Sequence, residues 1–286
     1  MKKSIFKVAL IASAIALSGC ATAEKKSSYV QEIKAAVDAR SAEAKERDVY
    51  RNPAKTLAFF RVEPGMTVAE ALPGGGWYSN IVANYLGSEG KLYGINYADD
   101  MWPRFGFFSQ ERIDDFVSRT DKFPSMVAEF TDNGIATKGF TFATMPEELE
   151  GTVDRVLAIR ALHNLNRFEE DAGTMTQALQ VMHKLLKKGG MVGVVQHRLP
   201  EASTTATQGQ RGYLKQSEVI TSFENAGFEL VATSEINANP KDKPSDSDIV
   251  WRLPPSYNGV GEDEAKRAAM TAIGESDRMT LLFKKK

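Results

Sequence analysis

Cysteine occurs once in 286 residues, at Cys20, so the chain has neither a disulfide framework nor a cysteine-built metal site. Histidine is nearly as scarce. His163, His183 and His197 have no metal-ligand spacing, and no metal is expected. An excess of one charge is missing too: 36 Lys and Arg face 37 Asp and Glu, for a net charge of −1. With no basic patch or basic–aromatic repeat, nucleic-acid binding has no support. No internal repeat is visible. The longest apolar run, residues 8–17, is too short to cross a hydrocarbon core of ~30 Å as a helix. What is present is ordinary for a globular protein: 42% hydrophobic and 26% charged residues, enough for a sizeable core.

The chain is organised around Val68-Ala69-Glu70-Ala71-Leu72-Pro73-Gly74-Gly75-Gly76-Trp77-Tyr78-Ser79. An apolar strand runs into a glycine turn, and the turn opens a helix ending near Leu86. Three glycines in a row cost backbone entropy and make sense where the chain needs positive φ or where a ligand lies against bare backbone. The free N–H groups and partial positive charge of a helix start add to the same spot. A tight turn without a ligand is the alternative. Glu70, at the strand end, favours the ligand.

Residues 1–20 follow an export pattern. Lys2, Lys3 and Lys7 precede the apolar run, which closes in Leu17-Ser18-Gly19-Cys20. That ending resembles a bacterial lipobox, which implies residues 1–19 as a lipoprotein signal peptide and Cys20 as the lipid-attachment residue. The partner is then a membrane, held through a lipid anchor without a transmembrane helix. Ala21 in place of aspartate implies, by the same resemblance, the periplasmic side of the outer membrane. An ordinary cleavable leader is the alternative.

Residues 20–48 are expected to form a tether and an amino-terminal helix, with Val30, Ile33 and Val37 on one face, either packed on the domain or standing off as a spacer. Residues 49–286 form the main domain. Asn52-Pro53 caps and starts a helix. Strands are expected from Thr67, over Lys91–Asn96, Gly139–Thr144, Val153–Ala161, Met191–Gln196, Phe228–Ile236 and Arg278–Phe283. Helices are expected over Ser109–Val117, around Ser125–Thr131, over Glu169–Lys188 and over Gln216–Ala226. Alternating helices and apolar strands point to a doubly wound, mostly parallel α/β sheet. The stretch Asn237–Glu275, rich in Pro, Asp and Lys with Trp251 in its middle, departs from this rhythm. It is read as an insertion forming an ordered lid or packing arm, with a disordered loop as the alternative.

Glu70-Ala71-Leu72-Pro73-Gly74-Gly75-Gly76 resembles the acidic-x-Gly-x-Gly-x-Gly signature of class I S-adenosylmethionine-dependent methyltransferases. Pro64-Gly65-Met66-Thr67-Val68 is similar to the family's lead-in to its first strand. Asp154–Ile159 with Leu162-His163-Asn164-Leu165 is similar to its fourth strand and following turn, and Leu185–Gly190 to the helix end before its fifth. The pattern also resembles exported bacterial methyltransferases with a Pro-Gly-Gly-Gly-Trp-Tyr turn. The resemblance implies a seven-stranded sheet with the last strand antiparallel, S-adenosylmethionine as cofactor and a small-molecule acceptor. Leu72 stands in place of the signature's first glycine, and Asn96 where the second strand usually ends in an acid.

For such a cofactor the candidate binding residues are Glu70, Gly74, Gly75, Gly76, Trp77 and Asn96. His163 and His197, expected on the carboxyl edge of the sheet, are the candidate catalytic residues, with turn closure as the alternative. Arg47, Asp48 and Arg51 are read as a solvated charged patch, with capping of the site as the alternative. Two other functions stay open: a non-catalytic binding lipoprotein that retains the fold, and a nicotinamide-dependent oxidoreductase, against which Asn96 argues.

Overall fold

The computed structural model describes residues 29–204 and 208–286. The leader and Cys20 lie outside the described residues. The apolar segment before the glycine turn lies inside one sheet. Its strands are β1 (Thr67–Ala71), β2 (Lys91–Asn96), β3 (Ala136–Thr141), β4 (Val153–Ile159), β5 (Leu186–Leu199), β6 (Leu214–Lys215), β7 (Phe228–Ser234) and β8 (Arg278–Lys285). The order is β3-β2-β1-β4-β5-β8-β7, with the two-residue β6 paired to β5 off this path. β8 runs antiparallel to β5 and β7, and the other pairs are parallel. This is the seven-stranded class I methyltransferase arrangement with its last strand antiparallel, extended by β6.

Successive strand residues face opposite sides of the sheet, and both sides are buried. Ala69, Ile95, Val156, Val194 and Leu281 face one core, and Val68, Leu92, Leu157, Val195 and Leu282 the other. The helices of six or more described residues are α1 (29–38), α2 (Pro53–Phe59), α3 (Trp77–Leu86), α4 (Gln110–Ala128), α5 (Leu162–Arg167), α6 (Thr174–Leu185), α7 (Gln216–Asn225) and α8 (Glu264–Ile273). α6 and α7 cover the first face. α1, α2 and α3 cover the second, where Ile33 and Val37 of α1 are buried beside Leu57 and Leu86. The amino-terminal helix therefore packs on the domain.

Several elements differ from expectation. α4 is one helix, passing through Pro124, where two were expected. Gly94 and Gly139 are register partners on β2 and β3. An added Cβ would lie 2.5 Å from the Phe123 ring at Gly94 and 1.8 Å from the Thr120 carbonyl at Gly139. The helix is held down along its length, which offsets the bond lost at proline. β3 starts earlier than read from sequence, and it ends earlier because a side-chain turn stops it: Thr141 N–H donates to Thr144 Oγ1 at 3.0 Å. The long helix expected over Glu169–Lys188 is broken at left-handed Gly173 (φ 62°), and Glu169 caps the restart by accepting from the N–H of Met175 and Thr176. β5 absorbs Lys187–Gly190.

The Asn237–Glu275 insertion is ordered over the carboxyl edge of β5. Its anchor is Asp242, whose carboxylate accepts from Arg252 Nη2 at 2.8 Å, Tyr213 Oη at 3.1 Å and the Asp277 N–H at 3.0 Å. Asn52 starts α2 with Pro53 as expected, but its amide donates to the Ile236 carbonyl (2.8 Å) instead of capping the helix.

Candidate functional site

Leu72 leaves β1 with φ 55°, a left-handed conformation that costs a side-chain-bearing residue about 1–2 kcal/mol. The position keeps the backbone geometry of a glycine, and the leucine offsets part of the cost by packing against the core. Gly74 (φ 61°) and Gly76 (φ 73°) complete the turn, and Gly76 is the N-cap of α3. Gly76 N–H donates to the Pro73 carbonyl at 3.0 Å, whereas among the described residues the N–H groups of Gly74 and Gly75 make no backbone bond. Two donors at a helix start are thus left for a ligand.

The glycines have different jobs. A Cβ on Gly76 would meet the Phe130 ring at 2.5 Å, so packing excludes a side chain there. A Cβ on Gly75 would meet nothing within 4 Å. Gly75 is bare toward a cavity of about 320 Å³, lined also by Pro73, Gly74, Gly94, Asn96 and Arg119. Asn96 ends β2 with its Nδ2 donating to Thr120 Oγ1 at 3.0 Å. Its Oδ1 takes no hydrogen bond among the described residues and is an acceptor for a ligand hydroxyl.

Glu70 is 4% exposed at the end of β1 and does not line this cavity. Burial pushes its carboxyl up to about 7, against the opposing hydrogen bond from Ser79 and the charge of Arg160. Trp77 lies outside the cavity as well. Its ring is sandwiched between the guanidinium groups of Arg40 (4.7 Å) and Arg51 (4.6 Å), and its Nε1 donates to the Ala44 carbonyl at 3.0 Å. Of the six candidate cofactor residues the structure brings Gly74, Gly75 and Asn96 together on one cavity. Gly76, Glu70 and Trp77 build the turn behind it.

His163 and His197 meet on the other half of the carboxyl edge, with ring centroids 5.6 Å apart. His163 Nδ1 is 3.3 Å from Gln196 Oε1, and His197 Nδ1 is 2.6 Å from Ser276 Oγ. Burial lowers His163 to about 4, with Arg160 and Arg167 adding to the effect. His197 is held well below its usual value by burial, then by His163 and Arg278. Both rings are neutral at neutral pH and are weak bases. They suit hydrogen bonding better than proton abstraction.

Arg47 and Arg51, read as a solvated patch, are folded into this edge instead. Arg47 Nε lies 2.5 Å and Arg51 Nε 3.6 Å from Glu275 Oε1, with the Arg51 side chain 3% exposed. Asp48 pairs with Arg40. Sequence reasoning missed Arg160, Glu275 and Arg278. The one local signal was a lone arginine closing the otherwise apolar end of β4.

No family model and no curated protein matches the chain. Among solved structures it is similar to the cyclase SpnF, at 14% identity over 84% of this chain and 82% of that one, with a TM-score of 0.52. It is similar to a SAM-dependent methyltransferase from Aquifex aeolicus at 18% identity, over 73% of this chain and 93% of that one, TM-score 0.44. It is also similar to the 1,6-didemethyltoxoflavin-N1-methyltransferase of Burkholderia thailandensis, at 12% identity over 98% and 93%, TM-score 0.48. At 14% identity the likeness to SpnF is one of fold, and function must be argued from the site.

Proposed function

We propose that the chain is an S-adenosylmethionine-dependent methyltransferase of the cell envelope, anchored by lipid at Cys20 and acting on a small-molecule acceptor. The observation that carries this reading is the turn at Gly75: N–H groups without a bond among the described residues, no Cβ, and open space in front, beside the side-chain Oδ1 of Asn96. Gly74 and Gly75 would hold the cofactor through backbone donors, and Asn96 Oδ1 would accept from a ribose hydroxyl. Glu70, behind the turn, would keep those donors in place through its bond from Ser79. When bound, the cofactor would supply an electrophilic methyl group on a sulfonium, with sulfur keeping the C–S electron pair. The chain's own contribution is placement on a rigid sheet edge, with the insertion shielding the edge from water.

A second reading, a binding lipoprotein that retains the fold without catalysis, draws on the Asn96 amide already engaged by Thr120 and on strained Leu72. The fold does not choose between them, since SpnF is described as a cyclase. Calorimetric titration of S-adenosylmethionine and S-adenosylhomocysteine separates the two. Micromolar binding of both supports the first. A folded protein giving no heat with either ligand selects the second. For the anchor, mass spectrometry of membrane-extracted protein is expected to show an acylated Cys20; an unmodified amino-terminus further along rejects it.

A further inference from the structure

In the order β3-β2-β1-β4-β5, the strand sequence reverses between β1 and β4, and ligands of open α/β sheets gather at that point. The glycine cavity lies on the β1–β2 side. A second cavity, of about 190 Å³, lies on the β4–β5 side, lined by Arg47, Arg160, His197, Trp251, Glu275 and Ser276 among others. The insertion roofs it through Trp251 and Pro255.

Charge here does not balance. Glu275 is bonded by Arg278 Nη1 at 2.9 Å and by Arg47 at 2.5 Å, with Arg51 at 3.6 Å. Burial pushes the Glu275 carboxyl up, but Arg278, Arg51 and Arg47 outweigh it and keep it ionised. Arg160 is the fourth guanidinium around this single carboxylate, and its side chain makes no hydrogen bond or ion pair among the described residues. Its Nε is fully enclosed without a hydrogen-bond partner, as are those of Arg51 and Arg278. Burial lowers Arg160 to about 10 and Arg51 to about 9, so both remain cations at neutral pH. Arg160 also sits in the left-handed region, with φ 59°. Four guanidinium groups around one ionised carboxylate leave an excess of buried positive charge, which is costly, and the strained backbone at Arg160 is of the kind that clusters at ligand clamps.

We propose that this cavity binds an oxyanion, the carboxylate or phosphate of the methyl acceptor, with Arg160 and the partly exposed Arg47 as its direct partners. The planar fork of arginine matches either group in bidentate fashion. The volume takes an anionic head with few attached atoms. Calling the ligand a methyl acceptor rests on the methyltransferase reading, whereas the anion site stands on the arginines alone.

The test titrates inorganic phosphate and, separately, acetate into the full-length protein at constant ionic strength, with chloride as control and S-adenosylhomocysteine in parallel. Saturable binding of phosphate or acetate is expected, and which of them binds identifies the head group. Arg160→Asn, chosen because asparagine tolerates the left-handed conformation, is expected to weaken it about tenfold or more while leaving S-adenosylhomocysteine affinity unchanged. Arg47→Gln, on the more exposed partner, is expected to weaken it less and guards against a misfolded first variant. No saturation beyond chloride in the folded protein, or undiminished affinity in both variants, overturns the inference. If S-adenosylhomocysteine binds and neither anion does, the methyltransferase reading survives without this site. If an anion binds and S-adenosylhomocysteine does not, the assignment to a methyl acceptor falls.

Discussion

Ser79 donates its hydroxyl to Glu70 Oε2 at 2.6 Å, fastening the first turn of α3 to the end of β1 across the glycine turn. The bond explains why an acid and a serine nine residues apart bracket three glycines. Without such a link, the turn's backbone would have too much freedom to hold two N–H groups in place.

The acid is also a pH-sensitive element. With Glu70 raised from 4.5 to about 7, its contribution to stability is complete below pH 4.5 and lost as pH rises through 7. Glu70→Gln removes that penalty. At pH 8 the variant is expected to be more stable than the parent by on the order of 2–3 kcal/mol, and near pH 4 equal to it, in urea melts at each pH. Its affinity for S-adenosylmethionine is expected to fall. A variant less stable than the parent at pH 8 would show that Glu70 is ionised at little cost.

Neighbouring glycines are expected to respond oppositely to substitution. Gly75→Val places its side chain in the cavity and is expected to leave the melting temperature nearly unchanged while abolishing ligand binding. Gly76→Val must adopt φ 73° and displace Phe130, for a cost of roughly 2–4 kcal/mol in urea denaturation. Equal losses of stability in the two would mean that Gly75 is structural.

The histidine pair titrates with the opposite sign to Glu70. A base whose folded value lies below its free value is fully stabilising above pH 6.5. That stability is lost as pH falls, for His163 toward about 4. The Gln196 hydrogen bond opposes the effect of burial, whereas Arg160 and Arg167 deepen it, and His197 faces the same ring. His163→Gln is therefore expected to flatten the fall in melting temperature between pH 6.5 and 4, and an unchanged slope would refute the assignment.

Asp242 carries the attachment of the insertion. Asp242→Ala leaves Arg252 and the Tyr213 hydroxyl without their common acceptor and is expected to cost about 3 kcal/mol. Amide exchange over 237–275 is expected to quicken more than that of β1 and β4. Uniform acceleration across the sheet would show that the insertion is not an independent unit.

Sequence alone determined what depends on neighbours along the chain. The bounds of β2, the course of β1 into α3 and the alternation of strands with helices all follow from period, turn chemistry and helix-start geometry. Only the tertiary structure decided which residues share an environment. Trp77, beside the glycines in sequence, is claimed by Arg40 and Arg51. Arg47 meets Glu275 across 228 positions, turning what looked like a solvated patch into one wall of a buried, over-positive cavity. Local pattern records whether a residue suits a helix, strand or turn. The charge a buried arginine feels is set by whatever the fold packs within a few ångströms of it, and that information is spread over the whole chain.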